Sequence, residues 1–176
     1  AFFAVPMLGS TLHTVNIRLS PSQIAYTIDH AEDDVILFHA DFIPLLEEVM
    51  LEVKRDARLI VMRDSADIEL PQTTLKIEAI FDELFINTDQ YFSFPDFDEN
   101  TRATTFYTTG TTGNPKAVAY SHRQLVLHTM GILATFGPMS ANNRFHNRDV
   151  YMPITPMFHV HGWGFPYAAT CLLYTS

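Results

Sequence analysis

The stretch from Tyr107 to Lys116 reads YTTGTTGNPK and combines residue types that suit a bound anion. Gly110 and Gly113 can take positive φ, so the backbone can turn tightly there and approach a ligand closely. Successive backbone N–H groups in such a turn form an anion-binding concavity, and Lys116 adds a charge that can reach a phosphate oxygen. The loop also offers four hydroxyl donors, those of Thr108, Thr109, Thr111 and Thr112. This composition predicts a phosphate-binding loop.

Two other phosphate-binding signatures do not match this stretch. A Walker A loop requires G-x-x-x-x-G-K-[ST], whereas Lys116 follows Pro115 and precedes Ala117. A dinucleotide fingerprint requires G-x-G-x-x-G, and the glycines here are spaced three apart only once. A polar surface loop between two strands stays open as the alternative, because Thr, Gly, Asn and Pro are all turn residues.

A second group of chemically active side chains lies near the C-terminus. His159 and His161 alternate along the chain, and His146 and Cys171 are nearby in sequence. Zinc ligands usually come in tight sets of four, or as three ligands plus water. We therefore expect no zinc site here, an expectation that metal analysis of the purified protein tests.

Charge is distributed unevenly along the chain, whose net charge is −9. This acidic balance argues against a nucleic-acid partner, which normally meets a basic face. After Thr101 the only acidic residue is Asp149, and the basic residues there are Arg102, Lys116, Arg123, Arg144 and Arg148. A basic C-terminal half suits an anionic ligand, and a solvated charge pattern without function is the alternative.

The elements that must position these residues follow an α/β pattern. Pro21 opens a helix that runs through Ile28, with Ser20 as its N-cap. Apolar runs at 35–38 and 59–62 indicate buried strands, and an amphipathic helix at 42–54 separates them. Strand, helix and strand with short connections form a βαβ unit. We therefore predict an α/β fold with a parallel-rich sheet and flanking helices.

Further helices and strands are predicted around the glycine-rich loop and the C-terminal histidines. Strands are expected at 104–108 and 118–120, on either side of the glycine-rich loop. A helix is expected from His122 to Phe136, with His128 as a polar helix residue, and Gly137 and Pro138 end it. The remaining predicted elements are a helix over 75–84, a strand over 150–154 and a helix starting near residue 167.

Length and composition define the broad class. The 176 residues suffice for one domain with a substantial core. A single cysteine, Cys171, excludes an intrachain disulfide and favours a reducing compartment, so a cytoplasmic location is expected. No stretch is apolar over the length needed to span a bilayer, and the opening AFFAVPMLGS lacks the basic region of a signal peptide.

Three segments, in order, resemble the adenylate-forming superfamily, which activates carboxylates with ATP. TTGTTGNPK followed by AVAYSHRQLVLHT is similar to its phosphate-loop motif, and PMFHVHGWGFPYAAT resembles its next motif. GSTLHTVNIRLSPSQIAYTIDHAEDDVIL looks like the N-terminal half of medium- and long-chain fatty acyl-CoA ligases. The resemblance implies that residues 1–170 are a fragment of the AMP-binding N-terminal domain. Residues 171–176 do not resemble the continuation, and we interpret them as a non-native or truncated tail.

The resemblance also implies roles for individual residues. Thr108 to Gly113, that is Thr108, Thr109, Gly110, Thr111, Thr112 and Gly113, would wrap the β- and γ-phosphates of ATP, with Thr108 also contacting Mg²⁺. Lys116 would stabilise phosphate charge, and His159 would approach the acyl carboxylate and the α-phosphate. Gly162 and Trp163 would belong to the acyl site, with Trp163 as an aromatic gate. The sequence departs from the family pattern at Ala117, usually Gly, and at Thr105, usually apolar or aromatic.

These implications define the expected function. The whole protein would be an acid–thiol ligase that converts a fatty acid to acyl-adenylate and then to acyl-CoA, with ATP, Mg²⁺ and coenzyme A. Its partners would be the carboxylate, ATP and coenzyme A, with no nucleic acid, no transmembrane segment and a possible homodimer. Family motifs for adenine, ribose and the catalytic lysine would lie beyond Ser176, so the fragment alone is expected to be inactive. The alternatives are a non-catalytic nucleotide-binding module and a ligase for aryl or short-chain acids.

Overall fold

The structure is a computed structural model that describes residues 1–86, 88, 91–109, 113–139, 145 and 149–172. The chain divides into two compact units. The first unit comprises residues 1–16, 94–110 and 116–176, and the second comprises residues 17–93 and 111–115. None of the helices in the described ranges is long and apolar enough to cross a membrane.

Helices and strands alternate along the described part of the chain. Its α-helices are α1 (Ala4–Met7), α2 (Pro21–Ala31), α3 (Ile43–Met50), α4 (His122–Phe136), α5 (Val160–Trp163) and α6 (Phe165–Leu172). Its strands are β1 (Leu12–Thr14), β2 (Val35–His39), β3 (Arg58–Met62), β4 (Ile77–Ile80), β5 (Arg102–Thr108) and β6 (Lys116–Ser121). Short 3₁₀ helices occupy Ala40–Phe42 and Phe81–Phe85. Three of the four strand pairs in these ranges are parallel, which confirms the α/β, parallel-rich fold.

The second unit is built on the predicted βαβ arrangement. Strands β2, β3 and β4 form a parallel sheet in that order. Helix α2 packs against α3, and both bury apolar side chains. A capping box starts α2, because the Gln23 N–H donates to the Ser20 hydroxyl at 3.3 Å and the Ser20 N–H donates to the Gln23 side chain at 3.3 Å. The most buried core side chains of this unit include Ile28, Ile43, Val49 and Val61.

The helix predicted over 75–84 is wrong, because this segment contains strand β4 followed by a 3₁₀ helix. Strand β4 pairs in parallel with β3, which needs a neighbour for its backbone hydrogen bonds. The Arg58 guanidinium reaches across to the Glu78 carboxylate, with Nε 2.9 Å from Oε1. Sheet pairing therefore prevails over the helical spacing of the apolar residues, as tertiary context often does.

The first unit contains the strands on either side of the glycine-rich loop. Strand β1 pairs in parallel with β5, and β5 pairs antiparallel with β6. Strand β5 is the buried centre of this sheet: Ala103 is 0% exposed and Phe106 is 2% exposed. Helix α4 follows β6 directly, begins at His122 as predicted and packs against α6. The two strands predicted beside the loop are thus confirmed, as β5 and β6.

The strand predicted over 150–154 is wrong, since the structure has no strand there. Val150, Met152 and Ile154 are 95%, 72% and 82% exposed. A strand needs a neighbour that accepts its backbone hydrogen bonds, and none of the six described strands pairs with this segment. The apolar alternation of the sequence alone therefore does not produce a strand.

Replacing Ser121 by alanine should lower the free energy of unfolding by about 1 kcal/mol. Ser121 caps α4, because its hydroxyl accepts from the Gln124 N–H at 3.3 Å and its N–H donates to the Gln124 side chain at 2.8 Å. Chemical denaturation measures the loss. Thr135→Ala is the control, since the Thr135 hydroxyl only donates to the Gly131 carbonyl within the same helix. Equal losses in the two variants would contradict the capping role.

Candidate active site

The hairpin of β5 and β6 places Thr108 and Lys116 at the two ends of the predicted phosphate loop. The two residues are directly paired in the antiparallel ladder, and both are exposed. The Thr108 hydroxyl donates to the Lys116 carbonyl at 3.4 Å. Its oxygen lone pairs are left for a further interaction, such as ligation of a hard cation. The antiparallel pairing thus holds the hydroxyl and the lysine backbone side by side.

The loop itself is described only in part. Thr109 is exposed, and Gly113 has a φ of +96°, as the sequence predicts for a tight turn. A Cβ at Gly113 would meet no atom within 4 Å, so backbone conformation and not space makes glycine necessary there. Gly110, Thr111 and Thr112, also predicted to contact phosphate, lie outside the described residues.

Residues 160–164, in the second group of chemically active side chains, form a left-handed turn. Val160, His161, Gly162, Trp163 and Gly164 have φ values of 50°, 52°, 60°, 59° and 71°. The Gly162 N–H donates to the His159 carbonyl at 3.0 Å, and the Gly164 N–H donates to the His161 carbonyl at 3.2 Å. This conformation costs L-residues roughly 1–2 kcal/mol each, and it is least favourable for β-branched Val160. Strain of this kind concentrates at functional sites.

The turn brings together the three residues that the sequence analysis assigns to the acyl site. His159 lies immediately before α5 and is exposed, and Trp163 is 57% exposed. Their rings approach edge to face with centroids 6.1 Å apart. Gly162 is buried between them in the chain, and a Cβ there would lie 3.4 Å from the Met157 sulfur. The turn therefore presents an imidazole and an indole as a pair.

His161 lies on the opposite side of the turn and is only 2% exposed. Its Nδ1 is 3.3 Å from the Thr14 hydroxyl oxygen. The Phe2 and Phe106 rings meet it edge-on, at centroid distances of 5.7 and 5.0 Å. Burial, with a smaller contribution from the charge of His13, lowers the pKa of His161 to about 4. The ring is therefore neutral at physiological pH.

The sequence suggests no role for His161 beyond a possible metal ligand. Residues two apart on a strand point to the same face, so the alternation of His159 and His161 does not predict that only one ring is buried. The left-handed turn leaves the His159 ring exposed and buries that of His161. Its partner Thr14 lies 147 positions away, so no local pattern could identify the contact.

His128 is a second contact of the turn that the sequence does not reveal. Its Nε2 donates to the Trp163 carbonyl at 3.1 Å, and this side chain extends from α4. A Cβ at Gly164 would lie 2.5 Å from Cδ2 of the same ring. Gly164 is therefore needed both for its positive φ and for the close approach of His128.

The buried Thr105 explains one departure from the family pattern. Its side chain is 5% exposed, and its hydroxyl donates to the Val118 carbonyl at 3.1 Å. A buried hydroxyl with a hydrogen-bond partner carries little penalty. Ala117, the other departure, is exposed on β6.

The structure reveals no self-contained metal site in the ranges it describes, where no group of three or more His, Cys, Asp or Glu side chains could hold an ion. Cys171 is exposed on α6, and His146 lies outside the described residues. The residues at the loop fit a magnesium ion that arrives with phosphates, since Mg²⁺ usually keeps phosphate and water ligands and takes few from the protein. The Thr108 hydroxyl could supply one such ligand.

Strand β5 connects the left-handed turn to the residue that begins the phosphate loop, and both lie in the first unit. Phe106 packs on His161, and Thr108, two positions further, begins the phosphate loop. Residues two apart on a strand point to the same face and lie about 7 Å apart. The strand therefore ties the anchor of the left-handed turn to the start of the loop. Six of the predicted site residues that the structure describes belong to this unit, namely Thr108, Thr109, Lys116, His159, Gly162 and Trp163.

Comparison with known proteins finds relatives that match nearly the whole chain. The sequence profile described as "AMP-binding enzyme" matches residues 1–175. A 3-methylmercaptopropionyl-CoA ligase of Ruegeria pomeroyi is 42% identical over 175 residues, which cover 95% of this chain and 30% of the relative. A long-chain-fatty-acid–CoA ligase of Thermus thermophilus is 42% identical over 170 residues, which cover 97% of this chain and 28% of the relative. The chain thus spans under a third of the length of these relatives.

A solved structure shares the fold. The crystal structure of ATP-bound MatB from Rhodopseudomonas palustris superposes with a TM-score of 0.71 at 18% identity. The match covers 96% of this chain and 30% of that protein. At this identity the likeness establishes the fold alone.

Proposed function

The chain belongs to the AMP-binding enzyme family, and from that membership we propose that the whole protein containing it is an acid–thiol ligase. It would activate a carboxylic acid with ATP as an acyl-adenylate and transfer the acyl group to coenzyme A. A fatty acid is the proposed substrate class. Residues 1–170 would form part of the N-terminal domain of this enzyme. The observation that carries the proposal is the placement of β5, which ties the left-handed turn to the phosphate loop.

The chemistry requires few side chains that transfer protons. A carboxylate oxygen attacks the α-phosphorus of ATP, the bond to the bridging oxygen breaks, and its electron pair leaves on pyrophosphate. The carboxylate is already the nucleophile, so no base has to activate it. Alignment and neutralisation of the growing negative charge remain, and preorganised donors and cations supply both.

Each predicted residue has a proposed part in that step. Lys116 would neutralise charge on the departing pyrophosphate, together with backbone donors of the loop. The Thr108 hydroxyl would help to hold a magnesium ion, which when bound would supply positive charge that offsets the charge of the phosphates. Exposed His159 would approach the carboxylate and the α-phosphate. Trp163, edge-on to His159 at 6.1 Å, would form the apolar wall that receives the acyl chain.

Two observations bear on which carboxylic acid is the substrate. The half-exposed indole of Trp163 offers an apolar surface of the kind an alkyl chain would cover, and the name of the Thermus relative includes a long-chain fatty acid. The Ruegeria relative, equally identical, is named for the much shorter 3-methylmercaptopropionyl group. A ligase for short-chain acids is therefore the second candidate, ahead of one for aryl acids.

We expect ATP–pyrophosphate exchange by the whole protein to be greatest with medium or long fatty acids. The assay measures the first half-reaction without coenzyme A, across straight-chain acids of graded length and aryl acids. A maximum at short or aryl acids would replace the fatty acid with those classes. Absence of exchange with every acid, in a protein that still binds ATP, would favour a non-catalytic nucleotide-binding module.

Three further expectations are part of the same proposal. ATP and coenzyme A as co-substrates support a cytoplasmic location, and a homodimer is the proposed assembly. Residues 171–176 are proposed to be a non-native or truncated tail, although α6 continues through Cys171 and Leu172. Sequencing of the reading frame past Thr170 tests this last point, because the same six codons in a continuing frame would contradict it.

A further inference from the structure

We infer that His161 is a positioning residue, whose imidazole, hydrogen-bonded to Thr14 and enclosed by Phe2 and Phe106, holds the left-handed turn in the conformation that pairs His159 with Trp163. The inference rests on the proposed function for its catalytic consequence. Its structural content, the anchoring of the turn, is independent of the reaction.

The anchor is a polar contact in an apolar enclosure. Nδ1 of His161 and the hydroxyl oxygen of Thr14 are 3.3 Å apart, and the ring is 2% exposed. In such surroundings a hydrogen bond has no competing water, so it fixes orientation more firmly than the same bond would at the surface. Thr14 ends β1, whose parallel pairing with β5 also positions Phe106 opposite it. The sheet therefore holds two of the three groups that contact the imidazole, Thr14 and Phe106.

The turn needs an anchor because its backbone is strained. Five consecutive residues, 160–164, have positive φ, and the three of them that are not glycine disfavour this conformation. Such a conformation persists only where surrounding contacts determine it. In the described structure those contacts are the His161–Thr14 pair below the turn and the donation from His128 to the Trp163 carbonyl above it.

Orientation of the exposed pair follows from this anchor. His159 and Trp163 lie two positions before and after His161, within the same turn. Release of the imidazole would let the backbone relax toward negative φ, and both rings would then change direction. A misplacement of about 1 Å at a reacting group can lower a rate by about 100-fold.

Protonation of His161 would release the anchor. Both ring nitrogens would then carry an N–H, and the one at Nε2 would be buried with no hydrogen-bond partner among the described residues. Of the groups that face the ring, Phe2, Thr14 and Phe106 carry no charge, and His13 on β1 opposes a positive charge. The anchor therefore requires the neutral ring, and acidification should act on the turn in the same way as loss of Thr14.

Two substitutions of His161 separate positioning from packing. His161→Phe keeps an aromatic ring in the apolar enclosure and removes the bond to Thr14. His161→Asn places an amide near the position of Nδ1 and keeps that bond. We expect His161→Phe to fold and to lower the kcat of ATP–pyrophosphate exchange about 10- to 100-fold. His161→Asn should restore most of that loss, and the KM for ATP should stay within about twofold in both variants.

Thr14→Val tests the other partner of the bond with almost no change in volume. It should reproduce the kinetic effect of His161→Phe, and the double variant should lose no more than either single variant, because both remove one interaction. His122→Asn, a histidine of α4 outside the turn, is the matched control. Full activity of both His161→Phe and Thr14→Val would overturn the inference.

A readout that needs no catalysis distinguishes failure of the inference from failure of the proposed function. Trp163 is the single tryptophan of the chain, so intrinsic fluorescence of the 176-residue chain reports on the turn alone. Thr14→Val and His161→Phe should increase acrylamide quenching of Trp163 and lower its anisotropy, and His122→Asn should change neither. Unchanged quenching in both variants would contradict the anchor even if the wild-type enzyme is active. Absence of exchange in the wild type, with the expected quenching, would contradict only the proposed function.

Discussion

Replacement of Lys116 by alanine should lower the rate of ATP–pyrophosphate exchange by about 100- to 1,000-fold, the loss typical for one preorganised group that stabilises transition-state charge. Lys116 begins β6 at the end of the loop and is exposed, so its ammonium group is available to a phosphate. The whole protein should fold normally, because Lys116 buries little surface. The decrease should fall on kcat, since negative charge on the departing pyrophosphate develops during the step.

Lys76→Ala provides the matched control for this experiment. Lys76 is another exposed lysine, next to β4 in the second unit, and should leave exchange unchanged. Lys116→Arg should recover part of the rate, because it keeps the charge and changes the donor geometry. Exchange by Lys116→Ala at the level of Lys76→Ala would contradict a role for Lys116 in the reaction.

The geometry of the hairpin gives this expectation its physical basis. The backbone of Lys116 is paired to Thr108 across the ladder, and Thr108 donates its hydroxyl to the Lys116 carbonyl. The first residue after the loop is therefore fixed by sheet hydrogen bonds while its side chain is exposed. A cation on a rigid element needs little reorganisation when charge develops nearby.

Local sequence patterns correctly predicted the elements whose structure is determined by residues close to them in the chain. Ser20 with Pro21 started α2 correctly, and the two apolar runs became the parallel pair β2 and β3, although Val35 and Leu37 of β2 are exposed and not buried as predicted. Helix α4 has the predicted bounds, and the Ser121–Gln124 capping box that begins it is formed within four residues. Each of these depends on hydrogen bonds within a few residues or on a short, β-branched apolar run that favours a strand.

Sequence patterns gave wrong predictions where the structure of a segment depends on a strand that is remote in the sequence. The apolar spacing over 75–84 fits a helix, but β3 recruits residues 77–80 as its next strand. The alternation of Val150, Met152 and Ile154 fits a strand, yet no described strand pairs with it. In both cases the deciding interaction lies outside the window in which periodicity is judged.

The candidate site likewise contains features that the sequence predicts and features that depend on contacts remote in sequence. Residue types predicted a phosphate loop at 107–116, whereas only the family resemblance suggested roles for His159 and Trp163, whose rings lie 6.1 Å apart in the structure. Neither the left-handed turn nor its anchor could be inferred, because φ values at non-glycine residues leave no mark on composition. His161 and His128 matter through contacts with Thr14 and the Trp163 carbonyl, both remote in sequence.

The stability of the chain should decrease as the pH falls from about 6.5 toward 4, through His161. Its pKa in the folded chain is about 4, against an ordinary value of 6.5. Between these values the unfolded chain binds a proton that the folded chain does not, so acid favours unfolding. The contribution is fully present above pH 6.5 and is lost as the pH approaches 4. A shift of this size corresponds to roughly 3 kcal/mol, of which roughly 2 kcal/mol is lost by pH 5.

Chemical denaturation of the wild type and His161→Phe at pH 7.5 and pH 5 measures this contribution. The phenyl ring cannot titrate, so the variant should lose less stability over the same interval. Glu47, Glu78 and Asp98 also have lowered pKa values, through hydrogen bonds to Thr74, Arg58 and Asn100 respectively. Their contributions are lost mainly below their ordinary values of 4.5, 4.5 and 3.8, so the interval above pH 5 isolates the histidine.

Parallel losses in the two proteins would mean that the imidazole titrates as it does in water. That result would require His161 to be hydrated in the folded chain, with its bond to Thr14 broken and the apolar enclosure open. The left-handed turn would then have no anchor beneath it, and its strain would favour another backbone conformation. Unequal losses would instead tie the orientation of His159 and Trp163 to the neutral ring, so acid should lower exchange activity before it unfolds the protein.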